Sequence, residues 1–117
     1  MLKSCLVVDD SRQFLAAARR LLEAQGMSVV RCASSRAEAL DIASAESPDV
    51  ILVDIDLGDE NGVELAGELA ETTSPAHVIL ISAYDQDEVS VLVNGSGAAG
   101  FLPKSALGVA AIAELLG

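Results

Sequence analysis

The sequence has few positively charged residues. Seven lysines and arginines stand against 18 aspartates and glutamates in 117 residues, which gives a formal net charge of −11. After Arg36 the next and last lysine or arginine is Lys104. The chain therefore lacks the basic stripe that follows a phosphate backbone, and we expect no direct contact with nucleic acid.

Long apolar runs and cysteines are also scarce. No apolar run approaches the roughly 20 residues of a membrane span, and the N-terminus begins a strand pattern where a secretory signal would lie. We therefore expect a cytoplasmic protein without a membrane segment. Cys5 and Cys32 are too few and too far apart for a zinc site, and in a reducing compartment they are typical of small core side chains.

The length and the absence of repeats, low-complexity tracts and linkers predict one domain over residues 1–117. Within it, short apolar runs alternate with amphipathic stretches. The runs predict five strands, at residues 5–8, 27–33, 50–53, 78–81 and 98–102. Four of them are nearly continuous, as in strands covered on both faces, whereas 27–33 is mixed and predicts an edge strand. The alternation indicates an α/β fold, a doubly wound five-stranded parallel sheet with right-handed crossovers.

Helix signals lie between these runs. One apolar helical face, which ends at Gly26, consists of Phe14, Leu15, Ala18, Leu21 and Leu22. The stretches 35–38 and 85–88 have capping-box spacing, and Ser105 is a candidate cap for a last helix that runs to Leu116.

Polar side chains follow four of the predicted strands. Asp9 and Asp10 follow the first, Asp54 ends the third, Ser82 ends the fourth and Lys104 ends the fifth. Because ligands of open parallel sheets bind outside the carboxyl ends of the strands, we expect these groups to share one crevice. One lysine cannot balance three carboxylates, but a hard divalent cation such as Mg²⁺ can. Lys104 is then free to meet an incoming anion.

Four motifs, "VVDD", "ILVDIDLGDENG", "LISA" and "GFLPKS", occur in the order found in response-regulator receiver domains of bacterial two-component signalling. The whole chain resembles this CheY-like family. The resemblance implies a flavodoxin-like (βα)5 fold with strand order 2-1-3-4-5. It also implies a signalling domain that assists its own phosphorylation and dephosphorylation, and not an enzyme in the usual sense.

The same resemblance implies the chemistry of the crevice. Asp54 accepts a phosphoryl group from the phosphohistidine of a sensor histidine kinase. Asp10 and Asp54 ligate Mg²⁺ directly, and Asp9 contacts the ion through a water molecule. The backbone carbonyl of Asp56 is the remaining ligand that the protein supplies. This chemistry agrees with elementary principles, since phosphoryl transfer needs positioning and charge neutralisation more than a covalent catalyst.

Ser82 and Lys104 are implied to bind phosphoryl oxygens, and Phe101 to be an aromatic switch residue. Movement of Ser82 would then select between arrangements of the Phe101 ring and change a partner-binding or dimerisation face. "GFLPKSAL" looks most like receivers that precede a helix-turn-helix domain. The implied partners are therefore a downstream output protein or a DNA-binding domain outside this sequence, or a second copy in a phosphorylation-dependent homodimer.

Two alternatives compete with this interpretation. "VDIDLG" resembles the first motif of haloacid-dehalogenase phosphatases, which would use Asp54 and Asp56, but in that family an acid pair follows the lysine, and here the pair comes first. A calcium-binding loop that begins at Asp54 would need glycine at its sixth position and glutamate at its twelfth. Asp59 and Leu65 occupy those positions.

Overall fold

A five-stranded parallel sheet forms the centre of the protein. The computed structural model describes residues 3–72, 77–83 and 98–116. The strands are β1 (Ser4–Val8), β2 (Val29–Ala33), β3 (Val50–Asp54), β4 (His77–Ser82) and β5 (Gly100–Pro103). Their order in the sheet is β2-β1-β3-β4-β5, with every neighbouring pair parallel. The predicted fold class and strand order are confirmed.

Helices pack on both faces of this sheet. They are α1 (Arg12–Ala24), α2 (Arg36–Glu46), α3 (Gly62–Thr72) and α4 (Val109–Leu116), and a 3₁₀ turn spans Lys104–Ala106. Buried residues of α1 and α4 share one core with one face of the strands, and those of α2 and α3 share a second core with the other face. No helix in the described ranges is long and apolar enough to cross a bilayer.

The two cores follow from strand alternation. Successive side chains of a strand point to opposite faces, so Leu6 belongs to the α2 and α3 core whereas Cys5 belongs to the α1 and α4 core. Every residue of β3 is buried, as its continuous apolar run predicts. Val29 of β2 is 46% exposed, as expected for an edge strand. Cys5 is buried, Cys32 is partly buried, and both are free thiols.

The helix boundaries agree in part with the sequence signals. The predicted C-terminal glycine of α1, Gly26, has φ +103°, and the hydroxyl of Ser35 accepts a hydrogen bond from the Glu38 N–H at 3.2 Å at the start of α2. Leu21, on the apolar face that the sequence predicts, is 37% exposed. Leu15, Ala18 and Leu22 are buried, and at 100° per residue Leu21 lies at the margin of the stripe that they form.

The predicted cap of the last helix was wrong. Ser105 lies inside the 3₁₀ turn, and α4 begins at Val109. The Val109 N–H donates instead to Oε1 of Gln25, at 2.7 Å, from the C-terminal end of α1. A side chain from a distant part of the chain therefore satisfies one of the free N–H groups at the start of α4. The capping signal at 85–88 lies outside the described residues.

Candidate functional site

Three carboxylates meet at the carboxyl edge of the sheet. Asp9 follows β1 directly, Asp10 is the next residue, and Asp54 ends β3. One carboxylate oxygen from each lies within 4.8 Å of the others. Asp9 is fully buried and Asp54 is 5% exposed, whereas Asp10 faces solvent. The predicted convergence of the acidic residues is thus present in the structure.

The ammonium of Lys104 lies between the two buried carboxylates. Its Nζ is 2.6 Å from Oδ2 of Asp9 and 3.0 Å from Oδ2 of Asp54, to which it donates a hydrogen bond. The contact with Asp9 is an ion pair by its short distance. Among the residues that the structure describes, none donates a hydrogen bond of regular geometry to Oδ2 of Asp9. Lys104 was expected to be free for an incoming anion once a divalent cation balances the carboxylates. In the structure its ammonium itself compensates the two buried acids, which would be costly to bury with no cation beside them.

Each buried carboxylate is also fixed by the backbone. Oδ1 of Asp9 accepts a hydrogen bond from the N–H of Ser11 at 2.8 Å, and Oδ1 of Asp54 accepts one from the N–H of Asp56 at 3.1 Å. In both residues one oxygen therefore faces a backbone N–H and the other faces Lys104. This symmetry holds both carboxyl groups in a defined orientation before any ligand binds.

Burial raises the pKa of Asp54 to about 6, against the lowering effect of its hydrogen bonds from Lys104 and Asp56, and the charge of Asp9 raises it further. Burial by itself lowers the pKa of Lys104, but the short contacts of its ammonium with the carboxylates of Asp9 and Asp54, and the negative charges of both, outweigh this effect, so the pKa is raised. Near neutral pH the site therefore combines a charged lysine with a carboxylate that is largely ionised.

The loop after β3 forms a short antiparallel ladder that the sequence analysis did not predict. Asp56 pairs with Asn61 and Leu57 with Glu60. Gly58 begins the two-residue turn with φ +69°, a conformation that favours glycine. A Cβ atom at this position would lie 3.2 Å from Oδ2 of Asp10. The loop therefore passes close to the exposed acid, while the role of the Asp56 carbonyl stays a prediction.

Ser82 and Phe101 lie on neighbouring strands. Ser82 ends β4 and is 2% exposed, and Phe101 is 7% exposed and pairs in register with Leu80. Since Ser82 lies two residues beyond Leu80, it projects from the same face of the sheet as Leu80 does. Phe101 and Leu80 belong to one core. Ser82 and Phe101 therefore lie on the same face of the sheet, on neighbouring strands, and their roles stay predictions.

One residue of the site was missed. The ring of Phe14 lies under the ammonium of Lys104, with 4.4 Å from Nζ to the ring centroid. From the sequence, Phe14 was predicted only to lie on the apolar face of a helix. A signal was available, because α1 begins shortly after Asp9 and Asp10 at the end of β1, so its first turn lies at the edge where the acids converge.

The donor set fits a hard divalent cation. All three groups offer carboxylate oxygens, which such ions prefer. Asp9 Oδ2 is buried without a regular hydrogen bond, and one lysine leaves the three carboxylates with excess negative charge. Asp9, Asp10 and Asp54 are therefore the residues that could hold a metal ion.

The family model for the response regulator receiver domain matches residues 5–115. The chain belongs to this family. The match, together with the position of the acid pair at the start of the chain, decides against the haloacid-dehalogenase alternative. The protein is thus a receiver domain of the response regulator family.

Individual relatives agree with this assignment. The receiver is 32% identical to the response regulator UvrY from Escherichia coli O6:H1 over 102 residues, which are 86% of this chain and 47% of UvrY. It is 29% identical to the chemotaxis protein CheY from Halobacterium salinarum over 104 residues, 89% of this chain and 86% of that protein. The chain thus spans about half the length of UvrY and most of the length of CheY.

Solved structures support the fold. A response regulator from Burkholderia pseudomallei, crystallised with a phosphorylated aspartic acid, a calcium ion and citrate, is 32% identical to the receiver with a TM-score of 0.85. The similarity covers 98% of this chain and 66% of that one. A CheY-like receiver domain from Methanospirillum hungatei is 28% identical with a TM-score of 0.81, covering 99% and 91%.

Proposed function

We propose that this receiver accepts a phosphoryl group on Asp54 from the phosphohistidine of a sensor histidine kinase. The observation that supports this most directly is the setting of Asp54. It is a nearly buried carboxylate at the carboxyl end of β3, 3.0 Å from a lysine ammonium and beside two further acids. The phosphorylated aspartic acid in the Burkholderia pseudomallei relative agrees with the proposal.

In the proposed reaction a carboxylate oxygen of Asp54 attacks the phosphorus atom of the phosphohistidine. The new O–P bond gives an acyl phosphate, and the N–P bond breaks with its electron pair returning to the imidazole nitrogen of the kinase. Lys104 exchanges part of its contact with Asp54 for the phosphoryl oxygens, while its ion pair with Asp9 keeps it at the site. The hydroxyl of Ser82 donates a hydrogen bond to another phosphoryl oxygen.

Mg²⁺ is the proposed cofactor. Asp10 and Asp54, with Asp9 through water and the backbone carbonyl of Asp56, would hold it, and when bound it neutralises charge shared by the carboxylate and phosphoryl oxygens. Hydrolysis of the acyl phosphate at the same site would end the signal. In this proposal the domain turns over no external substrate, and a phosphate-ester turnover assay distinguishes it from a phosphatase.

The first prediction concerns labelling. Phosphoramidate with Mg²⁺ is expected to add one phosphoryl group to the wild type, located on Asp54 by peptide mass spectrometry. Asp54→Asn should remove the label, because the amide is a poor nucleophile, and excess EDTA should suppress it. The matched control is Asp59→Asn, an exposed acid of the same loop, which should label normally. An acyl phosphate on another residue of the wild type would refute the assignment of Asp54.

We further propose that Ser82 and Phe101 transmit phosphorylation to a distant face. Ser82 ends β4 at the same edge of the sheet as the acids, whereas the Phe101 ring is buried three residues before Lys104 on β5. A ligand shifts a conformational equilibrium only through a difference in its interaction with the two states. A residue that connects the phosphoryl group with the distant face therefore affects output more than labelling.

The second prediction tests this role by NMR with and without a beryllofluoride phosphoryl mimic. Phe101→Ala should remain phosphorylatable and lose most of the shift changes remote from Asp54, whereas Ser82→Ala should impair both. Leu102→Ala is the matched control, because Leu102 is the next residue on β5 but packs in the opposite core. If Phe101→Ala shows the full wild-type response, Phe101 has only a packing role.

The partners of the signal follow from this proposal. We propose that the switched face binds a downstream output protein, a DNA-binding domain of the same protein or a second receiver, in the cytoplasm. The strongly acidic composition makes direct binding of nucleic acid by this domain unfavourable. The half of UvrY that the chain does not cover shows that receivers of this type occur in longer proteins.

A further inference from the structure

An aromatic ring supports the lysine of the site. Phe14 lies in the first turn of α1 and is partly buried, with its ring centroid 4.4 Å from Nζ of Lys104. The face of an aromatic ring carries negative potential and attracts a cation at this distance. The ring is therefore a third contact of the ammonium, besides the carboxylates of Asp9 and Asp54.

The contacts of Phe14 form a closed circuit with the site. Oδ1 of Asp9 accepts a hydrogen bond from the N–H of Ser11 at 2.8 Å. The hydroxyl of Ser11 in turn accepts one from the N–H of Phe14 at 3.2 Å. The ring of Phe14 then contacts Lys104, whose ammonium returns to Oδ2 of Asp9 at 2.6 Å. The start of α1 is thus fixed to Asp9 in the orientation that places the ring at the ammonium.

We propose that Phe14 is a positioning residue for phosphoryl transfer to Asp54, and that it acts through Lys104. This inference rests on the proposed function. A lysine ammonium ends a flexible four-carbon stem. The side chain of Lys104 is 21% exposed, so water competes with the carboxylates for contact with its ammonium. The ring restricts the ammonium to the position between Asp9 and Asp54, where it can contact a phosphoryl group that is transferred to Asp54.

The chemistry of the ring suits this task. A phosphoryl group on Asp54 changes the charge and the oxygen atoms that Lys104 faces on that side. The Phe14 ring has neither a charge nor an oxygen, so it competes neither for the acids nor for the phosphoryl oxygens. It is a partner of Lys104 that is the same before and after transfer.

Phe14 also packs against the core on this face of the sheet, but packing alone does not require an aromatic side chain. The buried stripe of α1 consists of Leu15, Ala18 and Leu22, and Phe14 lies at its margin, beside the site. A leucine or methionine at this margin would cover a similar apolar area. Only an aromatic ring adds attraction for the ammonium. The two roles therefore predict different outcomes for aliphatic and aromatic replacements.

The test compares Phe14→Leu, Phe14→Met and Phe14→Tyr in phosphorylation by phosphoramidate with Mg²⁺ over a range of donor concentrations. We expect the maximal rate to fall about threefold to tenfold with leucine and methionine, and to stay within about twofold with tyrosine. The half-saturating donor concentration should change less. Leu22→Val, on the same helix and 0% exposed, controls for loss of stability and should leave the rate unchanged.

A second measurement needs no phosphorylation. The ring should shift the ¹H resonances of the Lys104 ε-methylene upfield in the wild type and in Phe14→Tyr, but not in Phe14→Leu or Phe14→Met. Wild-type rates in both aliphatic variants, or an equal loss in Phe14→Tyr, would overturn the proposal. If the wild type labels elsewhere than Asp54, the proposed function fails, and the ε-methylene shifts still report separately whether Phe14 holds Lys104.

Discussion

Gly62→Ala should lower the free energy of unfolding by about 3 kcal/mol or more, a large part of the stability of a domain of this size. A Cβ atom at position 62 would overlap with the carbonyl oxygen of Asp54 and lie 2.8 Å from that of Ile55. Both are backbone atoms that a rotamer change cannot move. The N–H of Gly62 also donates to the Ile55 carbonyl at 3.0 Å, so relief of the clash breaks this bond and displaces Asp54.

Two other glycines serve as controls in the same urea unfolding experiment. A Cβ at Gly100 would meet the flexible end of Leu115 at 2.9 Å, and one at Gly26 would meet no atom within 4 Å, although its φ of +103° is unfavourable. We expect losses below about 1 kcal/mol for Gly100→Ala and of about 1 to 2 kcal/mol for Gly26→Ala. If Gly62→Ala lowers the free energy of unfolding no more than these two substitutions do, the close approach of the Asp54 backbone is not what requires glycine at position 62.

Local patterns predicted the fold and most of the site. Continuous apolar runs identified the central strands because parallel strands are covered on both faces. Strand direction then placed the acids at one edge, since parallel strands all end there. The structure also accounts for the doubled charge after β1. Asp9 is buried against Lys104, and Asp10 faces solvent.

The short ladder between Asp56 and Asn61 is a local feature that the sequence patterns did not predict, but the other missed features depend on contacts between distant parts of the chain. Lys104 reaches Asp54 across 50 residues, and Gln25 caps α4 across 84. Neither leaves a pattern in neighbouring residues. The contact between Phe14 and Lys104 likewise joins two distant parts of the chain. Helical spacing places Phe14 at the margin of the buried stripe of α1, but it does not identify the side chain that Phe14 contacts there.

Lys104→Met should destabilise the metal-free receiver by about 2 to 3 kcal/mol at neutral pH. Methionine keeps most of the length and apolar surface of the lysine but removes the charge between Asp9 and Asp54. Removing one partner of a buried ion pair typically costs about 3 to 5 kcal/mol, because the remaining charge is left uncompensated. The side chain of Lys104 is 21% exposed, so we expect a value somewhat below that range.

The loss should grow as the pH rises from 5 to 8. The pKa of Asp54 is already raised to about 6 by burial, against an ordinary value of 3.8. A group with a raised pKa favours the folded state most at low pH, where its neutral form is buried, and this contribution is lost as the pH passes through the folded-state pKa. Without the hydrogen bond from Lys104, which lowers this pKa, ionisation of Asp54 becomes still less favourable.

Urea unfolding in EDTA at several pH values measures this dependence. The raised pKa of Lys104 keeps its ammonium charged over the whole range, so the wild-type pairing depends on the acids alone. Arg19→Met is the control, because Arg19 pairs with Glu23 at 3.6 Å with 58% of its side chain exposed. That exposed pair should contribute less than about 1 kcal/mol with little change between pH 5 and 8. If Lys104→Met shows the same small and flat effect as Arg19→Met, the ammonium is not what stabilises the buried acids.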